Sequence, residues 1–148
     1  MLLVAACQQP KPKAEASADT ATVAEPQYSG PKACDLVSSD DATKVTGRSY
    51  KAGEAISDYG FDSQCQFEPA VAGDTSVMLV TLHAKGDIDP YKTVPGSSEL
   101  KDLGDVAVWN DPNKQLAIKK GDAVFSVFIK NGKQKDIVQL GRTALEKL

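Results

Sequence analysis

Most of the sequence patterns that carry catalysis are missing from this chain. Its 148 residues include one histidine, three cysteines and one tryptophan. There is no Cys-x-x-Cys pair, no Gly-x-Ser-x-Gly elbow, no phosphate-binding glycine loop, no dinucleotide fingerprint and no complete EF-hand loop. Catalytic and metal centres need several such residues in a defined arrangement. We therefore expect a protein that is not an enzyme and that uses no cofactor or metal.

Long apolar runs and blocks of like charge are absent as well. No stretch approaches the roughly 20 apolar residues that a membrane-spanning helix needs. The 17 basic and 20 acidic residues are interspersed, which leaves no basic surface for nucleic acid and predicts no nucleic-acid partner. A hydrophobic content of 41% is typical of a globular domain.

The first seven residues form a short apolar run that ends in two alanines and a cysteine. The segment Val4-Ala5-Ala6-Cys7 resembles the lipobox that lipoprotein signal peptidase cleaves. This resemblance implies that Cys7 becomes the acylated first residue of the mature protein and that the membrane is a partner through this lipid. A signal peptide also carries a basic region and a longer apolar region, so we interpret residues 1–7 as the remnant of one. The alternative is that Cys7 is an ordinary thiol in an irregular N-terminal segment.

Residues 8–33 have the composition of a linker. They contain four prolines, six alanines and a single larger aliphatic residue, Val23. Such a segment buries too little apolar surface to offset the entropy of ordering it, so we expect a disordered tether. Gln8 rather than an aspartate follows Cys7, and the lipoprotein resemblance then implies the outer membrane, with the domain facing the periplasm.

Residues 34–148 are predicted to form a single α+β domain. A short helix has Ser38 as its N-cap, Asp41 in a capping box and Gly47 at its end, and an amphipathic helix covers about 133–148. Residues 86–104 are interpreted as a long loop. Between and beside these segments, the pattern predicts six strands of a largely antiparallel sheet on which the helices pack: 48–56, 63–68, 75–84, 106–109, 115–119 and 123–130. The last of these is apolar on both faces and is expected to be central.

Cys34 and Cys65 remain as a pair once lipid occupies Cys7. In an oxidising envelope compartment they are expected to form a disulfide bond between the N-terminal helix and the second strand. Closing the loop of chain between Cys34 and Cys65 is expected to stabilise the folded domain by about 3 to 4 kcal/mol. A metal site would need further ligands near the two cysteines, and His83 is the one histidine in the chain.

Several short motifs in the domain support an assignment to a known type of protein. They are Cys-Asp-Leu at 34–36, Cys-Gln-Phe at 65–67 and Leu-Gly-Asp-Val-Ala-Val at 103–108, followed by the terminal helix. In these features the chain resembles small bacterial envelope-lipoprotein domains of unknown function. The resemblance implies an α+β fold and an envelope location, and it implies no particular chemistry.

Three residues of the domain are candidates for functional roles, and two more have a structural role. His83 is a possible base, although a lone histidine on a strand is more often packed or hydrogen-bonded. Tyr91 and Trp109 are possible binding contacts, because amphipathic aromatic residues often anchor interfaces. Gly104 is expected to allow a tight turn before a strand, where Asp105 binds neighbouring backbone amides.

Three hypotheses for the function follow from these observations. The first is a membrane-tethered binding or accessory module that contacts an envelope protein through the 86–104 loop and the adjacent sheet edge. The second is a carrier that holds a small apolar ligand between the sheet and the C-terminal helix. The third is an unrecognised enzyme that uses His83.

Overall fold

The centre of the domain is one seven-stranded antiparallel sheet, seen in a computed structural model that describes residues 29–56 and 61–148. Cys7 and the predicted linker up to residue 28 lie outside the described residues. The spatial order of the strands is β1-β2-β3-β7-β6-β5-β4. The strands are β1 (Glu54–Ala55), β2 (Ser63–Phe67), β3 (Met78–His83), β4 (Ser97–Leu100), β5 (Val106–Asn110), β6 (Gln115–Lys120) and β7 (Ala123–Ile129).

Four helices accompany the sheet, so the predicted α+β class is confirmed. They are α1 (Ala33–Leu36), α2 (Ser39–Thr46), α3 (Asp89–Lys92) and α4 (Gln134–Leu145). None of the helices in the described ranges has the length and apolar character needed to cross a membrane.

Helix α2 begins and ends where the sequence predicts. The Asp41 backbone N–H donates to Ser38 Oγ at 3.0 Å, and the Ser38 N–H donates to Asp41 Oδ2 at 3.0 Å. These are the two bonds of a capping box. The backbone bond from Ser38 lowers the pKa of Asp41, and the Lys147 ammonium contributes to the same shift. Gly47 ends the helix, and its N–H donates to the Thr43 carbonyl.

The main core lies between the sheet and helices α1, α2 and α4. Alternate residues of β3 and β7 face this layer. The fully buried Ile137, Leu140 and Ala144 belong to α4, which lies over β6 and β7, whereas α1 lies over β3. The contact is closest at Gly141, where a Cβ atom would lie 2.6 Å from Leu116 Cδ2. The sheet and the C-terminal helix are therefore packed directly against each other here.

The opposite face of the sheet is covered in part by the segment around α3. Ile88 is buried against Val108, Ala117 and Val124, and the half-buried Tyr91 packs on this second cluster. Strand β7 is the fourth of seven strands, as its apolar faces predicted. It has the main core on one side, and Val124 meets the second cluster on the other.

A disulfide bond joins Cys34 to Cys65, as predicted, but Cys34 lies in a separate four-residue helix and not in the single N-terminal helix that was predicted. It connects α1 to β2, with the two Cα atoms 5.0 Å apart. The Ala33 N–H donates to Ser63 Oγ at 2.9 Å, and Leu36 is fully buried. Ala33, which the composition placed at the end of the linker, is buried in the domain because the disulfide holds the next residue against the sheet.

The turn before β5 has the structure expected from its Gly-Asp sequence. Gly104 has a φ of +63°, in the left-handed region. The Asp105 N–H donates to the Lys119 carbonyl at 2.8 Å, and Asp105 Oδ2 accepts from the Gly121 N–H at 2.7 Å. Asp105 thus connects the start of β5 to the turn between β6 and β7.

Two details of the predicted sheet are wrong. The first strand, predicted over 48–56, is only Glu54–Ala55 with an isolated bridge between Tyr50 and Pro69. Its pairing is broken at residues 52–53, where a glycine weakens the strand. The count of six is also wrong, because the segment interpreted as a loop contains β4. That strand has no β-branched residue and forms through its pairing with β5.

Candidate functional site

Strand β4 is the outermost strand on one side of the sheet. It pairs with β5 alone, from Ser97 opposite Asn110 to Leu100 opposite Ala107. Its two middle residues, Ser98 and Glu99, are exposed. Backbone groups on the outer side of an edge strand remain available to another extended chain. The edge formed by β4 is therefore a candidate binding site.

The hydrogen-bond alternation identifies which backbone groups of β4 point outward. The Ile129 N–H donates to the Lys114 carbonyl, which sets the bonded pairs between β6 and β7. Hydrogen-bonded and non-hydrogen-bonded residue pairs alternate along each antiparallel ladder, and a residue that bonds to the strand on one side does not bond to the strand on the other. Followed from β6 through β5 to β4, this alternation makes Ser98 and Leu100 the residues that bond to β5. The N–H and C=O of Glu99 consequently point away from the sheet, and neither has a backbone partner among the described residues.

A buried amide holds the beginning of β4 in place. Asn110 is 4% exposed, and its Nδ2 donates to the Pro95 carbonyl and to Ser97 Oγ, both at 3.0 Å. The Ser97 hydroxyl in turn donates to the Tyr91 carbonyl at 2.9 Å. The edge strand is thus positioned by hydrogen bonds before any partner arrives, which reduces the entropy lost on binding.

The side chain of Glu99 lies over the face that carries α3. Lys92 Nζ is 3.4 Å from Glu99 Oε1 and 3.5 Å from Asp89 Oδ1. The hydrogen bond that Lys92 donates to Glu99 raises the pKa of Lys92 above its ordinary value, and Asp89 contributes less to this shift. This face of the edge therefore presents charges that are already paired with one another.

The opposite face of the edge opens into a groove of about 350 Å³ between the end of β4 and helix α4. We call it the α4 groove. Lys101, Lys135 and Arg142 line it, and none of them forms an ion pair with another described residue. Arg142 Nη1 donates to the Asp102 carbonyl at 3.3 Å. The apolar residues of the groove are Leu100, Leu103 and Val138.

The two aromatic residues predicted as binding contacts are not equally placed. Tyr91 is half-buried in the α3 segment beside β4. Trp109 is 3% exposed and belongs to the main core, because its position on β5 faces the helices. It is thus a core residue in this structure and not a surface contact of the candidate site. Cys7 lies outside the described residues.

His83 stands at the end of β3, away from the β4 edge. Its ring is 4.5 Å from the Phe61 ring, measured between centroids, and the residue is half-buried. Among the described residues, no group of three or more histidine, cysteine or acidic side chains is arranged to hold a metal ion. The enzyme hypothesis therefore gains no support from the surroundings of His83 in the described part of the chain.

The carrier hypothesis requires space between the sheet and helix α4. At that place Leu116 and Ile118 of β6 are fully buried and meet α4 at Gly141 without an intervening gap. The α4 groove lies outside this contact, along the side of the helix that faces β4. The described geometry therefore favours a surface contact over an enclosed ligand.

Comparisons with known proteins provide no family assignment for this chain. No protein-family model matches the chain, and searches of curated proteins and of solved structures found no significant match.

The residues of the edge and groove were missed by sequence reasoning. The 86–104 region was expected to be the contact region, but it was interpreted as a loop rather than as a strand. Lys135, Val138 and Arg142 follow helical spacing on α4, so their common face could have been predicted. Their proximity to Lys101 could not, because it depends on how the helix crosses the sheet.

Proposed function

We propose that this chain is a membrane-tethered lipoprotein of the bacterial cell envelope whose domain binds an extended segment of another protein along β4. The observation that carries the binding role is the outward N–H and C=O of Glu99 on a strand that pairs with β5 alone among the described strands. In strand addition of this kind, backbone hydrogen bonds provide affinity and neighbouring side-chain sites provide specificity. The absence of legible catalytic motifs in the sequence agrees with a non-enzymatic role.

A proline at position 99 tests this proposal. Proline lacks the N–H that would bond to the added strand, and at an outward position it removes no bond of the sheet itself. Peptides of about eight residues, the length of an ordinary strand, are selected from a random display library on the wild-type chain. We expect Glu99→Pro to weaken their binding about tenfold, as measured by fluorescence anisotropy.

Glu99→Gln is the matched control for this experiment. It removes the charge that pairs with Lys92 but keeps the backbone N–H, so we expect nearly unchanged peptide affinity. Melting curves of both variants verify that the domain remains folded. If no peptide is selected, or if all selected peptides bind Glu99→Pro as well as wild type, the β4 edge is not the binding site.

The membrane anchor is a separate part of the proposal and has its own test. We expect the full-length gene, expressed in a bacterial host, to yield protein whose intact mass includes acyl chains on Cys7. More than one chain is needed for stable anchoring, which an acylated lipoprotein cysteine provides. Cys7→Ser should remove the added mass and release the protein from the membrane fraction. An unacylated wild-type product would contradict the lipoprotein assignment while leaving the β4 experiment unaffected.

A further inference from the structure

We infer that the segment added to β4 is acidic on one face, and that its carboxylates bind the three cations of the α4 groove. This inference rests on the proposed strand addition and specifies the chemistry of the partner. It follows from the position of Lys101, Lys135 and Arg142 beside the free edge and from their lack of acidic partners among the described residues.

The pleat of the sheet decides which side chains of the added strand reach the groove. Successive side chains of a strand point to opposite faces. Leu100 points to the face that carries α4 and lines the groove, whereas Glu99 points to the face that carries α3. Alternate residues of an added strand would therefore lie on the side of the α4 groove, and the residues between them would lie beside Glu99.

The charges on these two faces favour different residues. On the α3 side, Glu99 and Asp89 already share Lys92, so a further carboxylate there would be repelled. On the α4 side, Lys135 is in the first turn of a twelve-residue helix, where the helix dipole adds positive potential. The first-turn acid Asp136 does not line the α4 groove; it lines two grooves on the α2 side of the helix, one of which Lys135 also lines. An alternation of acidic and neutral residues fits both faces.

The apolar part of the groove offers a further contact to the side chains of the partner. Leu103 is 3% exposed and Val138 is half-buried, so the methylene groups of a glutamate side chain can pack there while its carboxylate reaches the cations. A lipid headgroup would satisfy the same cations, but it would leave the outward backbone groups of Glu99 without partners.

The test uses three synthetic peptides of about eight residues, a usual strand length. One alternates threonine with glutamate, and its analogues carry glutamine or lysine in place of glutamate. We expect the glutamate peptide to bind the full 148-residue chain about tenfold more tightly than the glutamine peptide at low salt. The lysine peptide should bind most weakly. The advantage of glutamate should shrink as ionic strength rises, because salt screens exposed charges.

The triple variant Lys101→Gln/Lys135→Gln/Arg142→Gln should abolish the preference for glutamate. Its matched control is Lys44→Gln/Lys85→Gln/Lys130→Gln, which removes the same charge from exposed lysines that also form no ion pair with a described residue. The control should retain the preference. Equal affinity for all three peptides, or equal loss in both triple variants, overturns the acidic specificity.

The same experiment separates this inference from the proposed function. If Glu99→Pro weakens all peptides and the groove triple variant changes nothing, strand addition stands and the acidic specificity fails. A second outcome is that the chain binds phosphatidylglycerol vesicles, with binding that is lost in the groove triple variant and unchanged in Glu99→Pro. This result would show that the groove recognises lipid and that the inference is wrong. A third outcome is that the chain dimerises, that Glu99→Pro makes it monomeric and that no peptide binds. In that case the occupant of the edge is a second copy of the chain, and the inference again fails.

Discussion

Removal of the Cys34–Cys65 disulfide is expected to cause one of the largest losses of stability available by substitution in this chain. The bond closes a loop across a sequence separation of 31 residues. The chain-entropy estimate for such a loop is about 3 to 4 kcal/mol, which corresponds to a melting temperature lower by roughly 15 °C. The double variant Cys34→Ala/Cys65→Ala, followed by thermal unfolding, measures this loss. Alanine is chosen because Cys65 is fully buried and a serine hydroxyl there would need a partner.

The structure also predicts which element loses the most stability when the disulfide is absent. Helix α1 has only four residues, too few to persist without tertiary contacts. Hydrogen exchange in this helix should therefore accelerate more than exchange in β6 or β7. A reducing agent should lower the melting temperature of wild type to that of the double variant and should leave the double variant unchanged. A double variant that melts within about a degree of wild type would contradict the predicted role of the bond.

Gly104→Ala is expected to destabilise the domain by about 3 kcal/mol. Two causes add at this position. The φ of +63° is unfavourable for a residue with a Cβ, and the added Cβ would lie 2.7 Å from the Lys119 carbonyl oxygen and 2.6 Å from Ile118 Cγ2. The carbonyl oxygen belongs to the backbone of a paired strand, so it cannot move aside without disturbing the sheet. Urea unfolding measures the change, and an unchanged m-value shows that it is a change in stability.

Gly121→Ala is the matched control for this substitution. Gly121 has a similar φ of +58°, but an added Cβ would meet nothing within 4 Å. Its replacement should therefore cost only the conformational penalty, about 1 kcal/mol. The difference between the two variants isolates the contact with β6. Equal losses would show that this contact can relax and that the backbone conformation alone matters.

The elements predicted well are those whose signals lie within a few residues of each other. The capping pair Ser38 and Asp41 identifies the start of α2, and the apolar spacing of Ile137, Leu140 and Ala144 identifies α4. Each signal acts over one or two helical turns, so it can be recognised without knowing the rest of the fold. The Cys34–Cys65 disulfide was predicted from the compartment and the cysteine count rather than from geometry.

The candidate binding edge shows where local signals fail. Ser98 and Glu99 have little preference for a strand, and the two prolines at positions 90 and 95 favoured a loop. They form β4 because β5 lies beside them and because Asn110 holds the preceding turn. Trp109 was misplaced for a related reason, since its exposure depends on which face of the sheet the helices cover.

The sequence by itself determined the α+β class, the antiparallel character of the sheet, the caps of α2, the terminal helix and the pairing of the two domain cysteines. The first four depend on composition, on periodicity and on contacts between near neighbours in the chain, whereas the cysteine pairing follows from the cysteine count and the expected oxidising compartment. Only the tertiary structure decided that β4 is an outer strand of the sheet formed by the described residues and that Lys101, Lys135 and Arg142 line one groove beside it. Those features arise from packing between segments that are distant in the chain. The sequence pattern of one segment does not predict which other segment packs beside it.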